Sequence, residues 1–282
     1  MRRGGVLKSI ISFLVMVLLM WGTAALAAEL HVPSSDYSSI QAAIDAAVPG
    51  DVVLVAGGPY SGNLLVQKAI TIKPENEANH PVIDCANAPR GFTFVGAEAS
   101  EAVLNGFTIT GGNGKVPEDW KDIYPDIYGW QGFGGAILFE DGASATITDC
   151  TISGNTADYG GAIAFIKSCP TISHCVIETN IALLGGGLYV KNASASDPSP
   201  ALITCTIMNN SANRGGGVYL ISYASPSFYN SLIAGNLASQ FGGAFYCQNQ
   251  CVPDIIHCTV SDNTSAGLGS EIYCISCLVL LR

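Results

Sequence analysis

From Cys150 onward, short apolar runs alternate with single polar residues and are broken by asparagine and glycine at regular places. The same run returns five times: "CTISGNTADYGGAIAF" from Cys150, "CVIETNIALLGGGLYV" from Cys175, "CTIMNNSANRGGGVYL" from Cys205, "SLIAGNLASQFGGAFY" from Ser231 and "CTVSDNTSAGLGSEIY" from Cys258. Its apolar segments are too short for a helical period and are rich in Thr, Ile, Val and Tyr, which predicts strands. One strand per copy should turn Cys150 and Ile152 inward and Thr151 and Ser153 outward. A second alternates Ile163 and Phe165 with Ala162 and Ala164.

Asn155, Asn180, Asn210, Asn236 and Asn263 hold one column of the repeat, spaced by 25, 30, 26 and 27 residues. A period in that range predicts stacked repeats. Equivalent side chains then lie about 4.8 Å apart, close enough for an amide column to hydrogen-bond along the stack. The asparagines are expected to take the left-handed backbone that turns one strand into the next, and Gly160-Gly161 to permit the next unusual dihedrals. The fold class that follows is all-β: a single-stranded parallel β-helix of roughly eight or nine coils.

Ahead of the repeats, Ile40, Ala43, Ile44 and Ala47 form an apolar stripe of helical period. Ser38 with Gln41 reads as its capping box and Pro49-Gly50 as its stop, so a short N-terminal helix should cover the open end of the first coil.

The first residues change the setting. Arg2, Arg3 and Lys8 precede an apolar run from Ile10 to Trp21 and small residues up to Ala27, the order of a secretory signal peptide over 1–27, which leaves one β-helix domain over 28–282. The run is short for a membrane span, and no second apolar stretch is long enough to cross a bilayer. Membrane contact is therefore expected only through an anchor or barrel that is missing here, because "LVLLR" after Cys277 reads as the first strand of a further coil cut short. The exported chain keeps nine basic residues against 22 acidic ones, a net charge of −13. That excludes nucleic acid as a partner.

The columns resemble the right-handed parallel β-helix of the pectate-lyase-like superfamily, and "GN.A..GGAI" is similar to the repeats of polymorphic outer membrane proteins. The segment "DYSSIQAAIDAAVPGDVVLVAGGPYSGNLLVQKAITIKP" also resembles the start of that superfamily, where a short helix covers the first coil. The resemblance implies that catalytic carboxylates, calcium ligands and basic residues, where present, project outward from one strand face and its loops. Here that face reads Thr108, Thr110, Thr151, Ser153, Val176, Glu178, Thr206, Met208, Leu232, Ala234, Thr259 and Ser261. Glu178 is its one acid, and a lone carboxylate lacks the partner that glycosidic cleavage needs. No catalytic residue is assigned.

One loop stands out. The chain takes 22 steps from Gly112 to Gly134, where Asn155 to Gly160 takes 5. Long loops on a rigid scaffold usually carry function. This one combines Trp120, Tyr124, Tyr128, Trp130 and Phe133 with Glu118, Asp119, Asp122 and Asp126. Aromatic faces stack on sugar rings and carboxylates accept hydroxyl hydrogen bonds, which makes a saccharide-binding lip; the alternative is that the aromatics pin the loop to the stack while the acids stay solvated. The same acids could hold calcium, though not with EF-hand spacing; no other cofactor is expected.

Cys150, Cys175, Cys205 and Cys258 share an inward station, where parallel Cβ vectors nearly 5 Å apart exceed the 3.8 Å or so of a disulfide, so these thiols should stay unpaired. Cys247, Cys251, Cys274 and Cys277 fall on adjacent coils and are expected to form two disulfides, with a four-sulfur zinc site as the alternative. His174 and His257 precede ladder cysteines but lie three rungs apart, about 14 Å, and share no ion. No metal site is assigned.

The resulting expectation is a secreted or cell-surface (outer-membrane) protein. It would serve as a non-catalytic, adhesin-like module that binds a polysaccharide or a host or cell-surface protein. The competing expectation is a polysaccharide lyase or glycoside hydrolase acting on an acidic polysaccharide.

Overall fold

The computed structural model describes residues 26–86, 88–115 and 132–282. The expected signal peptide, but for its last two residues, lies outside them. Every strand pairing is parallel, and a coil visits four sheets in turn, for example through Thr146–Thr148, Thr151–Ser153, Thr156–Tyr159 and Ile163–Ile166. The first sheet has 10 strands, from Glu29–Val32 to Leu280–Leu281; the second and fourth have 8 each, and the third has 5. Ten strands in register make nine steps, so the chain is a parallel β-helix of about nine turns.

Register places like on like. Ile152 pairs with Ile177, then Ile207, Ile233 and Val260. Phe94, Phe139 and Phe165 stack inside the fourth sheet with ring centroids 4.9 and 5.5 Å apart. Burial of such columns supplies the main stabilisation, because a single coil has no interior of its own.

The turns differ from expectation in a way that explains the asparagines. The left-handed residue is the one before each of them: Gly154, Thr179, Asn209, Gly235 and Asp262, with φ from 54° to 65°. Turning the chain one residue early lets the amide itself point inward, where all five asparagines are at most 3% exposed. Each Oδ1 from Asn180 onward accepts from the backbone N–H and the Nδ2 of the previous asparagine at 2.9 to 3.0 Å. The ladder begins at the Gly112 N–H, 3.0 Å from Asn155 Oδ1, and ends on Glu271 Oε2, 2.7 Å from Asn263 Nδ2. Gly160 does take a positive φ of 69°. Gly161 is required for another reason: a Cβ there would lie 2.3 Å from the carbonyl oxygen of Gly186 on the next coil.

The N-terminal helix spans Ile40–Ala46 and turns Ile40, Ala43 and Ile44 onto the core. Its cap is Ser39, not Ser38: Ser39 Oγ accepts from the Ala42 N–H at 3.2 Å. Gln41 is drawn away from the cap to Leu65, accepting from its N–H at 2.8 Å, which ties the helix to the strand Leu64–Val66.

The outward side of the fourth sheet is not solvated along its middle. Ala164, Tyr189, Tyr219 and Tyr246 are all at most 4% exposed and form a second apolar cluster outside the coil, with Tyr159, Leu184 and Phe241 packed against it. Tyr189, Tyr219, Tyr246 and Tyr273 occupy one register and stack at 5.6, 4.9 and 5.4 Å. Two-fold alternation along a strand cannot show that both faces are covered.

Candidate functional site

The second sheet presents the flank on which the family resemblance would seat catalysis. Its register sets Ser61 beside Asp84 and Asp84 beside Thr110, while Ser153 stands beside Glu178, followed by Met208, Ala234 and Ser261. Asp84 is an acid missed by a reading that began at Thr108. Thr110 and Ser153 stand between it and Glu178, so the two carboxylates are three steps apart, about 14 Å, beyond the spacing used to cleave a glycosidic bond from both sides. Asp84 Oδ1 also accepts from the Ala86 N–H at 3.0 Å. What remains is hydroxyl and apolar: Thr108, Thr110, Thr151, Ser153, Thr206, Thr259 and Ser261, with Val176, Met208, Leu232 and Ala234.

The loop candidates Glu118, Asp119, Trp120, Asp122, Tyr124, Asp126, Tyr128 and Trp130 lie outside the described residues. The stems on either side of them are described. On the outgoing stem, Gly132 N–H donates to Asp158 Oδ2 at 3.0 Å, and Gly132 O accepts from the Asp158 and Tyr159 N–H groups, both at 2.9 Å. Phe133 is buried and stacks on Tyr159 at 4.8 Å, so this aromatic does pin the loop to the scaffold.

On the incoming stem, Pro89 O accepts from the N–H groups of Asn113 and Gly114 at 3.0 and 2.7 Å. Arg90 then reaches back: its Nη2 donates to Gly114 O at 2.8 Å and its Nη1 approaches Thr93 Oγ1 at 3.5 Å. Arg90 is 3% exposed, and its Nε has no hydrogen-bond partner. Burial lowers its pKa to about 10, against the pull of Glu140, so it stays charged at neutral pH.

Glu140 closes the strand Ile137–Glu140 and is 6% exposed. Burial pushes its pKa up to about 7; Arg90 opposes the shift and Asp141 adds to it. A buried guanidinium with a spare donor and a carboxyl that changes charge near neutrality thus lie by the loop stems. Together they can bind an anion or hydroxyl, or exchange a proton. Sequence reasoning missed both. The available signal was an acid ending an otherwise apolar four-residue strand, "ILFE", where its repeat neighbour reads "IAFI".

The cysteines divide in two. Cys150, Cys175 and Cys205 are at most 2% exposed and donate to backbone carbonyls; Cys258 is only partly buried and does the same. The two expected disulfides are not made: Cys247 faces Cys274 in register and Cys277 Sγ accepts from the Cys251 N–H at 3.2 Å, but all ten cysteines are free. For Cys247 and Cys274 the physical reason is the one already given for the ladder: in-register parallel strands hold Cβ atoms wider than a disulfide spans. Among the described residues no group of three or more His, Cys, Asp or Glu is placed to hold a metal. His174 and His257 serve as turn residues, with φ of 52° and 51°.

A family model for a right handed beta helix region matches residues 70–233 and again 134–277, together well over half of the chain. No curated protein matches. Among solved structures, the pectin methylesterase PemA from Erwinia chrysanthemi is similar at a TM-score of 0.49 and 13% identity, covering 88% of this chain and 80% of its own. A pectin methylesterase in complex with a hexasaccharide is similar at 0.49 and 12%, covering 87% and 80%.

Proposed function

We infer the function from one premise: this chain belongs to the right handed beta helix region family. On that scaffold the protein is an exported, non-catalytic binding module that takes a polysaccharide or a cell-surface protein at the face carrying the loop between Gly114 and Gly132. One observation carries the reading. Register separates the only two acids of the strand column that runs from Ser61 through Asp84 and Glu178 to Ser261 by three steps, with the hydroxyls of Thr110 and Ser153 between them. Hydroxyl-rich, sparsely charged surfaces bind neutral or hydroxylated partners without polarising a bond. Export rests on residues 1–27, and calcium bound by Glu118, Asp119, Asp122 or Asp126 belongs to the same proposal.

The experiment is a glycan array read beside a turnover assay on polyuronates, with the mature chain. Capture should weaken at least tenfold in Trp120→Ala or Trp130→Ala and stay unchanged in Glu178→Gln, with no depolymerisation or ester cleavage. Turnover of any polysaccharide overturns the reading.

A second reading, an enzyme acting on an acidic polysaccharide, draws on Glu140, whose buried carboxyl has a pKa near that of a general acid at neutral pH. It requires turnover that Glu140→Gln abolishes while the fold is kept.

A further inference from the structure

The third sheet is built from Thr156–Tyr159, Ile181–Leu184, Ser211–Arg214, Leu237–Phe241 and Thr264–Ser265, all parallel, with one register shift past Ala212. Ala182, Ala212 and Ala238 are buried, which turns the residues on either side of them outward. Among the described residues, five large apolar side chains between Val48 and Val252 are exposed, and three of them stand here: Ile181, Leu183 and Leu237, at 55, 51 and 49%. The repeat does not require this, since the stations of Ile181 and Leu183 hold Thr156 and Asp158 on the strand above and Ser211 and Asn213 on the strand below.

The sheet carries one acid and one cation, and they flank the apolar strand. Asp158 lies one step above Ile181–Leu184 and Arg214 one step below. Each is fixed by a neighbour and keeps capacity to spare. Asp158 Oδ2 accepts from the Gly132 N–H at 3.0 Å, which leaves Oδ1. Arg214 Nε donates to Gln240 Oε1 at 2.9 Å, with the guanidinium 5.8 Å from the centre of the Tyr246 ring, which leaves Nη donors. Two strand steps, roughly 10 Å, keep the two charges from pairing within one chain.

We propose that the third sheet is a self-association surface, packed face to face on the third sheet of a second copy about a two-fold axis along Ile181–Leu184. Such an axis keeps the strand direction and exchanges the coil above for the coil below. Ile181 and Leu183 then meet the second copy's Ile181 and Leu183 as an apolar centre. Asp158 comes opposite the second copy's Arg214, and Arg214 opposite its Asp158, so one complementary pair is used twice, as an isologous contact demands. An axis along Thr156–Tyr159 or Ser211–Arg214 would instead set like charges together.

Five strands at about 4.8 Å and four residues at about 3.3 Å give a strip of roughly 300 Å² per copy, below the ~800 Å² of a stable interface, so the association is reversible and concentration-dependent. The acidic net charge of the chain opposes it at long range, a repulsion that salt screens. Only described residues take part, so the dimer stands or falls apart from the ligand reading above.

The test is sedimentation equilibrium of the mature chain at about 0.15 M salt, up to about 1 mM protein, which populates even millimolar complexes. Mass should rise from monomer to dimer with concentration. Leu183→Asp, an exposed change, and Arg214→Glu should each raise the dissociation constant at least tenfold, with thermal unfolding showing that each still folds. Asp158→Lys combined with Arg214→Glu should bring the constant back towards the wild-type value. Should Arg214→Glu fail to fold, Leu183→Asp decides. Monomer mass throughout, a dimer that survives Leu183→Asp, or a charge swap that restores nothing overturns the proposal. So does a monomer whose glycan capture is lost in Leu183→Asp, which puts a saccharide on the sheet in place of a second copy.

Discussion

The asparagine ladder and the Arg90–Glu140 corner are two buried polar regions of one scaffold, and they meet the cost of burial in opposite ways. In the ladder each amide satisfies its neighbour. Asn210, for instance, accepts twice from Asn180 and donates to Ile177 O and Asn236 Oδ1, which uses its full side-chain capacity. In the corner nothing repeats, so Arg90 keeps an unpartnered Nε and Glu140 is left partly neutral. Repetition supplies a partner for every polar group automatically, whereas a site that occurs once must find its partners in a loop or in a ligand.

Breaking the ladder at its centre should have the largest effect. Asn210→Leu leaves the Asn180 N–H buried without its acceptor, at about 1–3 kcal/mol, and takes one hydrogen bond of about 1 kcal/mol from Ile177 O and one from Asn180 Nδ2, which keeps Ile152 O and Glu178 O. A loss of roughly 4 kcal/mol in urea unfolding is expected from that sum. A loss below about 1 kcal/mol would mean that water or repacking replaces the ladder.

The corner should show itself through pH. Both folded and unfolded Glu140 are protonated below pH 4, and the unfolded carboxyl ionises first as pH rises. Stability is therefore present at acid pH and lost between the ordinary carboxyl value of 4.5 and about 7. The full loss amounts to about 3 kcal/mol by the linkage of pKa to free energy. Glu140→Gln should flatten that window in denaturation curves taken at pH 4 and pH 8. Its gain at pH 8 is smaller than the wild-type loss, because Arg90 forfeits a nearby negative charge. An unchanged slope would place the titration elsewhere.

The smallest effect belongs to the outer flank. Glu178→Gln, on a half-buried column with Ser153 and Met208 as register neighbours, should shift stability by less than about 0.5 kcal/mol. A larger change would show that the flank is more than a neutral surface.

Much of the fold was legible because each coil writes the same letters at the same stations. Five asparagines at a near-constant interval could only be columns once the segments between them were strands, and the inward stations of Cys150 and Ile152 followed by alternation. Legibility failed where a residue answered to something other than its own strand. Ser39, not Ser38, caps the helix while Gln41 is engaged by Leu65, and the covered tyrosines of the fourth sheet left no mark along the chain because the third sheet that covers them lies elsewhere along each coil. The candidate site was the least legible part: Arg90 and Glu140 stand 50 residues apart and look like ordinary surface charges until the coils stack.

The sequence alone therefore determined the period, the strands and the columns, since local alternation and a repeated turn are enough to specify them. Only the tertiary structure decided which outward faces stay dry, which thiols are buried and which charges are buried. Those properties depend on what lies one coil above or one sheet across, and no local pattern along the chain encodes that neighbour.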